Sequence, residues 1–239
     1  MTRILDRFGA GTVDLVRRAV FKTVIGPRRY GTESGYDARR FWGDRFKKYG
    51  GGLRGSGDEG LSEAQNEAAY EKAGATLIGA VEAGGVDLAG AKVLDVGCGP
   101  GFFTGLLHSK GVAAYTGVDI TDELFPDLRA RFPDYSFVQQ DITAGVPDGS
   151  FDLVMMIDVA EHIVDTAAFD RCIANLAGAV APGGTLLVGP LLERGSRHLF
   201  YVRYWSKEDV LDRVSGFEHV EDAPFRNGAL TVLRRTASA

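Results

Sequence analysis

At 239 residues with a formal net charge of −5, the chain can bury one sizeable core but would cramp a second full domain. No apolar run approaches the roughly 18 residues of a membrane span, and two cysteines, Cys98 and Cys172, are too few for a disulfide scaffold, a zinc knuckle or a three-cysteine iron–sulfur cluster. Residues 1–30 hold seven Arg or Lys against only Asp6 and Asp14, which leaves the remainder at about −10 and argues against nucleic acid as a partner.

Residues 3–25 set Ile4, Leu5, Phe8, Val13, Leu15, Val16, Val20, Phe21, Val24 and Ile25 among arginines. That pattern predicts an amphipathic helix, broken around Gly9-Ala10-Gly11 and closed by Gly26-Pro27. Packing on the domain, or on a second subunit of a homodimer, is the ordinary use of such a helix. A lid, or membrane-surface attachment through residues 1–25, is the other. The arginines interrupt the apolar run and no small-residue cleavage site follows, so no signal peptide is read and a cytoplasmic location is expected.

A second helix is predicted from Tyr36 to Tyr49, with Phe41, Trp42, Phe46 and Tyr49 on roughly one face. It runs into Gly50–Gly60, six glycines in eleven residues. That composition predicts the most mobile stretch of the chain, serving as hinge, active-site lid or linker. Ser62 and Gln65 have the spacing of a capping box for a helix from Glu63 to about Ala83. The boundary falls at residue 60, with a helical extension and glycine-rich loop over 1–60 and a globular domain over 61–239.

Beyond Ala91, strands near 92–96, 115–118, 135–139, 151–157 and 184–190 alternate with helices near 102–110, 122–131 and 166–180. This is the order of an α/β, doubly wound, mostly parallel sheet. Pro182-Gly183-Gly184 reads as a turn into the fifth strand. A helix from about Ser206 to Val214 precedes two runs, Gly216–Val220 and Ala229–Leu233, that suit a closing hairpin.

The densest signal is K-V-L-D-V-G-C-G-P-G at Lys92–Gly101, followed by the helix-like Phe102–Leu107. A buried strand, a tight glycine turn and a helix form the βα unit beyond which open sheets bind their ligands. The spacing is G-x-G-x-G, not the G-x-G-x-x-G of a nicotinamide site, and Asp95 before it suits a cationic ligand group better than a pyrophosphate. Asp119 ends the next apolar run about 20 residues on, where a carboxylate holds ribose hydroxyls. Asp141 follows the third strand.

This ordered set, D-V-G-C-G-P-G, V-D-I and Q-D-I, resembles the class I S-adenosylmethionine (SAM) dependent methyltransferases, over about residues 60–235. The resemblance implies an enzyme with a Rossmann-like seven-stranded sheet, an N-terminal helical lid and SAM as cofactor. It assigns Asp119 to the ribose hydroxyls, Asp141 and the Ile142 amide to adenine, and Asp95 to the methionine amine. Gly97, Gly99 and Gly101 would let the backbone approach the cofactor, and Ile120 and Asp158 complete the set. Tyr36, Trp42, Arg45 and Tyr70 are the residues expected to line the lid.

On the acceptor side, Asp158-Val159-Ala160-Glu161-His162-Ile163 follows the buried run Phe151–Ile157, and the E-H-I triplet resembles that of small-molecule methyltransferases. Removing a proton from a hydroxyl acceptor calls for a general base, and His162 is the expected one. The bland alternative is a histidine bonded to the local backbone or to the neighbouring Glu161. Asp158, Glu161 and His162 are also candidate ligands for a divalent cation such as Mg2+. Arg194, Arg197, His198, Arg203, Tyr201, Tyr204 and Trp205 offer charge and aromatic surface for a substrate.

The segment FWGDR…YGGGLRGSG…GLS…N…Y resembles methyltransferases encoded with polysaccharide genes. The leading expectation is therefore O-methylation of a sugar, oligosaccharide or secondary metabolite, a small-molecule or glycan acceptor. N- or C-methylation of a small metabolite or quinone is the alternative. A non-catalytic binding protein with a membrane-associating helix belongs to another class, and the glycine spacing disfavours an oxidoreductase.

Overall fold

The computed structural model describes residues 10–192 and 197–237; residues 3–9 of the expected first helix lie outside them, as do the side chains of 10–14 and 193–198, which include Arg194, Arg197 and His198. The apolar run around Leu94 becomes strand β1 (Lys92–Val96), paired in parallel with β2 (Ala114–Asp119) and β4 (Phe151–Ile157). Outward from these lie β3 (Ser136–Gln139) and β5 (Val180–Leu191), both parallel to their neighbours.

Because side chains alternate along a strand, Val93 packs into one layer and Leu94 and Val96 into the other. The first layer takes in residues from helices α5 (Glu63–Ala83), α6 (Phe102–Ser109) and α7 (Phe125–Arg131), the second those from α8 (Thr166–Ala179). A sheet covered on both faces needs apolar residues at successive positions, hence the unbroken run Leu153–Ile157.

Two short antiparallel strands, β6 (Arg197–Leu199) and β7 (Val202–Arg203), follow β5, and the closing hairpin comes after them. β8 (Phe217–Phe225) and β9 (Gly228–Arg235) are antiparallel, and β9 pairs antiparallel with β5, giving the order β3-β2-β1-β4-β5-β9-β8. Pro182-Gly183-Gly184 does not precede the fifth strand as a turn. Pairing begins earlier, at Phe151↔Val180, and resumes at Leu153↔Thr185, so the three residues form an excursion within the strand, with Gly183 at φ +77°.

The N-terminal helix is corrected at its end. Helix α1 (Ala10–Val20) passes through a π-helical turn (Phe21–Ile25) into α2 (Gly26–Tyr30), so Gly26-Pro27 continues it. Gly26 N–H reaches back five residues to Phe21 O, and Pro27 sits in the first turn of α2, where its missing N–H is not needed. A Cβ on Gly26 would lie 2.3 Å from the Phe200 ring, so glycine is what allows Phe200 to pack there. Tyr30, Phe41 and Phe200 form a third, aromatic cluster under this helix. Among the described residues, no helix is long and apolar enough to cross a membrane.

The glycine-rich stretch is also not the loose segment its composition predicts. After α3 (Ala38–Tyr49) it forms a short helix, α4 (Leu53–Ser56), and is held by side chains from outside. Arg45 donates to the carbonyls of Gly55, Arg54 and Gly57. Glu63 accepts from Leu53 N at 2.7 Å, Asn66 bridges Asp58 N and O at 3.0 Å each, and Tyr70 Oη donates to Ser56 Oγ at 3.0 Å. The capping box of Ser62 and Gln65 starts α5 as expected.

Candidate active site at the carboxyl edge of the sheet

The glycine turn is locked to the neighbouring strand before any ligand is considered. Gly97 N–H and Cys98 N–H both donate to Val118 O, at 2.7 and 3.1 Å. Gly97 is at φ +78°, and a Cβ there would lie 2.1 Å from Val159 Cγ2, so both conformation and space demand glycine. Gly97→Ala is expected to cost roughly 2–5 kcal/mol from backbone strain and overpacking together. Urea unfolding measures it, and an unchanged midpoint would contradict the packing described.

Asp119, at the end of β2, is 8% exposed, accepts from Gly99 N and Thr121 N at 3.1 Å each, and is pushed up to about 6 by burial. Asp141 is fixed by Thr143, whose N–H and Oγ1 donate to the same carboxylate oxygen at 2.9 and 2.7 Å. Its other oxygen accepts no hydrogen bond among the described residues.

These groups border a cavity of about 430 Å³, within the size range of small-ligand sites. Gly97, Gly99, Asp119, Ile120, Asp141, Ile142, Asp158 and His162 all line it. Tyr36, Trp42, Phe46, Ser56 and Tyr70 close it from the N-terminal side. The Tyr36 hydroxyl is buried and has no hydrogen-bond partner among the described residues.

Three expected residues are elsewhere. Asp95 shares the Val93 face of β1, where it accepts from Tyr115 Oη at 2.7 Å and burial raises its pKa to about 7, so it is a core acid and not part of the cavity lining. Gly101, at φ +81°, caps α6, and a Cβ on it would meet Leu128 Cδ2 at 2.3 Å; its absent side chain serves helix packing. Arg45 staples the glycine-rich stretch and is likewise absent from the lining.

His162 lines the cavity with its Nδ1 3.0 Å from Tyr201 O. A carbonyl only accepts, so Nδ1 carries the proton and Nε2 is left as a bare acceptor. The ring meets Trp42 edge-on at 4.8 Å and stacks with Tyr201 at 6.0 Å. Burial holds its pKa down to about 4, so the imidazole is neutral across the physiological range. The alternative to catalysis placed this bond on the local backbone or on Glu161; it goes instead to a carbonyl 39 residues away, and it is what presents Nε2.

Asp158, at φ +56°, is gripped by Arg226, whose Nη2 and Nε donate to Oδ2 at 2.7 and 3.1 Å. Arg226 also donates to Ala69 O at 3.0 Å and lies 4.5 Å over the Tyr70 ring, a contact no local motif announced. Among the described residues, no three His, Cys, Asp or Glu side chains are grouped to hold a metal, so Asp158, Glu161 and His162 are not the convergent cation site considered from spacing. Trp205 and Arg203 are not free substrate surface either: Trp205 stacks on Phe169 at 3.8 Å and Arg203 lies over it, bonded to Thr166 Oγ1 at 2.7 Å.

Glu161 has a buried Oε2 without a hydrogen-bond partner among the described residues, and burial with the nearby Asp158 charge raises its pKa to about 8, against 4.5 unperturbed. The folded chain keeps a proton that the unfolded chain has released, so stability falls as pH rises between those two values. Glu161→Gln is expected to flatten this fall and raise Tm at the alkaline end of the range. Parallel melting curves for the two proteins would rule it out.

Residues 94–188 match a family model described as a methyltransferase domain. The matched segment is 95 of the 239 residues. In solved structures, the fold of the whole chain is similar to that of magnesium protoporphyrin IX methyltransferase from Synechocystis, at a TM-score of 0.61 and 17% identity, covering 93% of this chain and 100% of that one. In sequence, the chain is 30% identical over 146 residues to the 2-methyl-6-phytyl-1,4-hydroquinone methyltransferase of Synechocystis sp., covering 57% of this chain and 43% of that protein. It is 36% identical over 112 residues to the ubiquinone biosynthesis O-methyltransferase of Xanthomonas oryzae pv. oryzae, covering 44% and 45%. The chain thus spans less than half the length of these two relatives. The matched methyltransferase domain holds the glycine turn, Asp119, Asp141 and His162, whereas Tyr36, Trp42, Phe46, Tyr70 and Tyr201 lie outside it.

Proposed function

We propose that this chain is a SAM-dependent O-methyltransferase whose acceptor is a phenolic hydroxyl on a planar ring, of the hydroquinone or catechol type. When bound, SAM supplies a sulfonium methyl that a nucleophile takes by direct displacement, so the protein's main task is alignment. The cavity fits that cofactor: two glycines remove side chains at the turn, and acids with acceptor capacity stand at the ends of β2 and β3. Asp119 would accept from the ribose hydroxyls, with Asp141 and the Ile142 amide at the adenine.

The observation that carries the acceptor class is the burial of His162. An imidazole whose pKa is about 4 is a fully available but weak base. A phenol ionises near pH ~10, while an alkyl hydroxyl resembles water at about 15.7, a difference of roughly six powers of ten. A weak base is matched to the phenol. The aromatic wall of Tyr36, Trp42 and Phe46 supports a flat ring beside Nε2, and the unpartnered Tyr36 hydroxyl supports a second polar group on it. The names of the two sequence relatives, a hydroquinone and a ubiquinone-pathway methyltransferase, point the same way. Within the segment that suggested a sugar, Arg45 and the carbonyls of Gly55 and Gly57 are engaged in holding the extension together.

The test is transfer of labelled methyl from SAM to a panel of hydroquinones, catechols, simple sugars and amines, with and without EDTA. Label on phenolic oxygen, undiminished by EDTA, is the expected result. Label confined to sugars or amines overturns the acceptor class.

A further inference from the structure

We propose that helix α1 and the π-helical turn after it form a docking surface for an anionic lipid bilayer. Among the described residues, five of the six exposed large apolar side chains lie here: Leu15 at 61%, Val16 at 55%, Val20 at 42%, Val24 at 41% and Ile25 at 49%. Val16, Val20 and Val24 recur every four residues, the spacing of one helical stripe. The helix is already seated, since Phe21 and Gly26 pack against Phe200, and Val16, Val20 and Ile25 border a groove beside Phe21 while keeping much of their surface exposed. A solvent-exposed stripe of this kind marks an interaction surface.

Charge decides what covers it. From residue 15 to residue 32 the chain has five Arg or Lys and no acid. Arg17, Lys22 and Arg28 form no ion pair among the described residues. A second copy packed stripe to stripe would press these cations against their own kind, whereas an anionic headgroup layer meets them with the opposite sign and takes the valines into the acyl boundary. The surface also sits one aromatic layer from the cavity. Phe200 lies between Phe21 at 6.4 Å and Tyr36 at 6.0 Å, and Tyr36 lines the cavity wall. The inference rests on the helix alone and stands whether or not the chain transfers methyl groups.

The test is co-sedimentation of the full chain with vesicles of phosphatidylcholine, with or without phosphatidylglycerol. Binding is expected only with phosphatidylglycerol present and is expected to vanish in about 1 M salt, where the screening length is roughly 3 Å. Arg17→Gln should weaken it about fivefold, and Val20→Asp by at least about tenfold. Both side chains are exposed, so the far-ultraviolet spectrum and Tm of each variant should match the parent. No sedimentation with either vesicle overturns the proposal, as does sedimentation that both substitutions leave unchanged. A dimer in sedimentation velocity that Val20→Asp dissociates, without vesicle binding, would assign the stripe to a second copy instead.

Discussion

Asp119→Ala is expected to weaken SAM binding by roughly 100-fold in isothermal titration calorimetry, the loss of two charge-assisted hydrogen bonds at about 1.5 kcal/mol each on the proposed ribose role. The carboxylate stands at the end of β2, and the same two oxygens hold Gly99 N and Thr121 N. Removing it therefore takes away both the ligand's acceptor and a clamp on the turn. Asp119→Asn keeps the shape and one acceptor, and should lie between. Burial sets the pH dependence. The carboxyl ionises at about 6, and the ribose hydroxyls need the ionised form, so Kd rises as pH falls through that value. The sign follows from protons: binding selects carboxylate, and below about 6 each binding event must release one. A Kd for the alanine variant within twofold of the parent would refute the ribose role.

His162→Ala is expected to lower kcat by roughly 10²–10⁴-fold, the usual worth of a positioned general base, and to leave the Kd of SAM unchanged. The pH profile separates this role from mere packing. An ordinary histidine would switch off as pH fell through 6.5, but burial keeps this imidazole neutral down to about 4. The parent's kcat should therefore hold level through 6.5, with any decline below it left to other groups. A kcat that halves near 6.5 would contradict the buried, Nδ1-protonated ring, and full turnover by the alanine variant would remove His162 from the reaction.

The cofactor side of the cavity was readable because its fixing contacts are local. Asp119 is held through Thr121 and Asp141 through Thr143, each two residues on, and both acids end strands whose apolar runs are plain. Asp95 misled although the information was present: Val93 and Asp95 share one face of β1 and Leu94 and Val96 the other, so an acid in phase with Val93 points at α6. The glycine-rich stretch misled for another reason. Glycine content describes the freedom of an isolated chain, while Arg45, Glu63, Asn66 and Tyr70 reach in from two neighbouring helices and bond chiefly to backbone atoms, which leave no mark in a sequence. Contacts across long separations were closed to inspection altogether. Tyr201 is 39 residues from His162 and Arg226 is 68 from Asp158, and neither pair has a motif.

The Arg226 grip has a consequence for the order in which the protein can be assembled during synthesis. Arg226 lies in the turn between β8 and β9, and β9 is the strand that caps the edge of β5. A nascent chain that has emerged only as far as β5 has the glycine turn, both cofactor-side acids and His162, yet Asp158 has no cation beside it and β5 presents an unpaired edge. The hairpin that completes the sheet thus does two things at once. It seals the sheet against pairing with other chains, and it neutralises the acid next to the cavity, so the site comes into its final charge state only when the fold is protected.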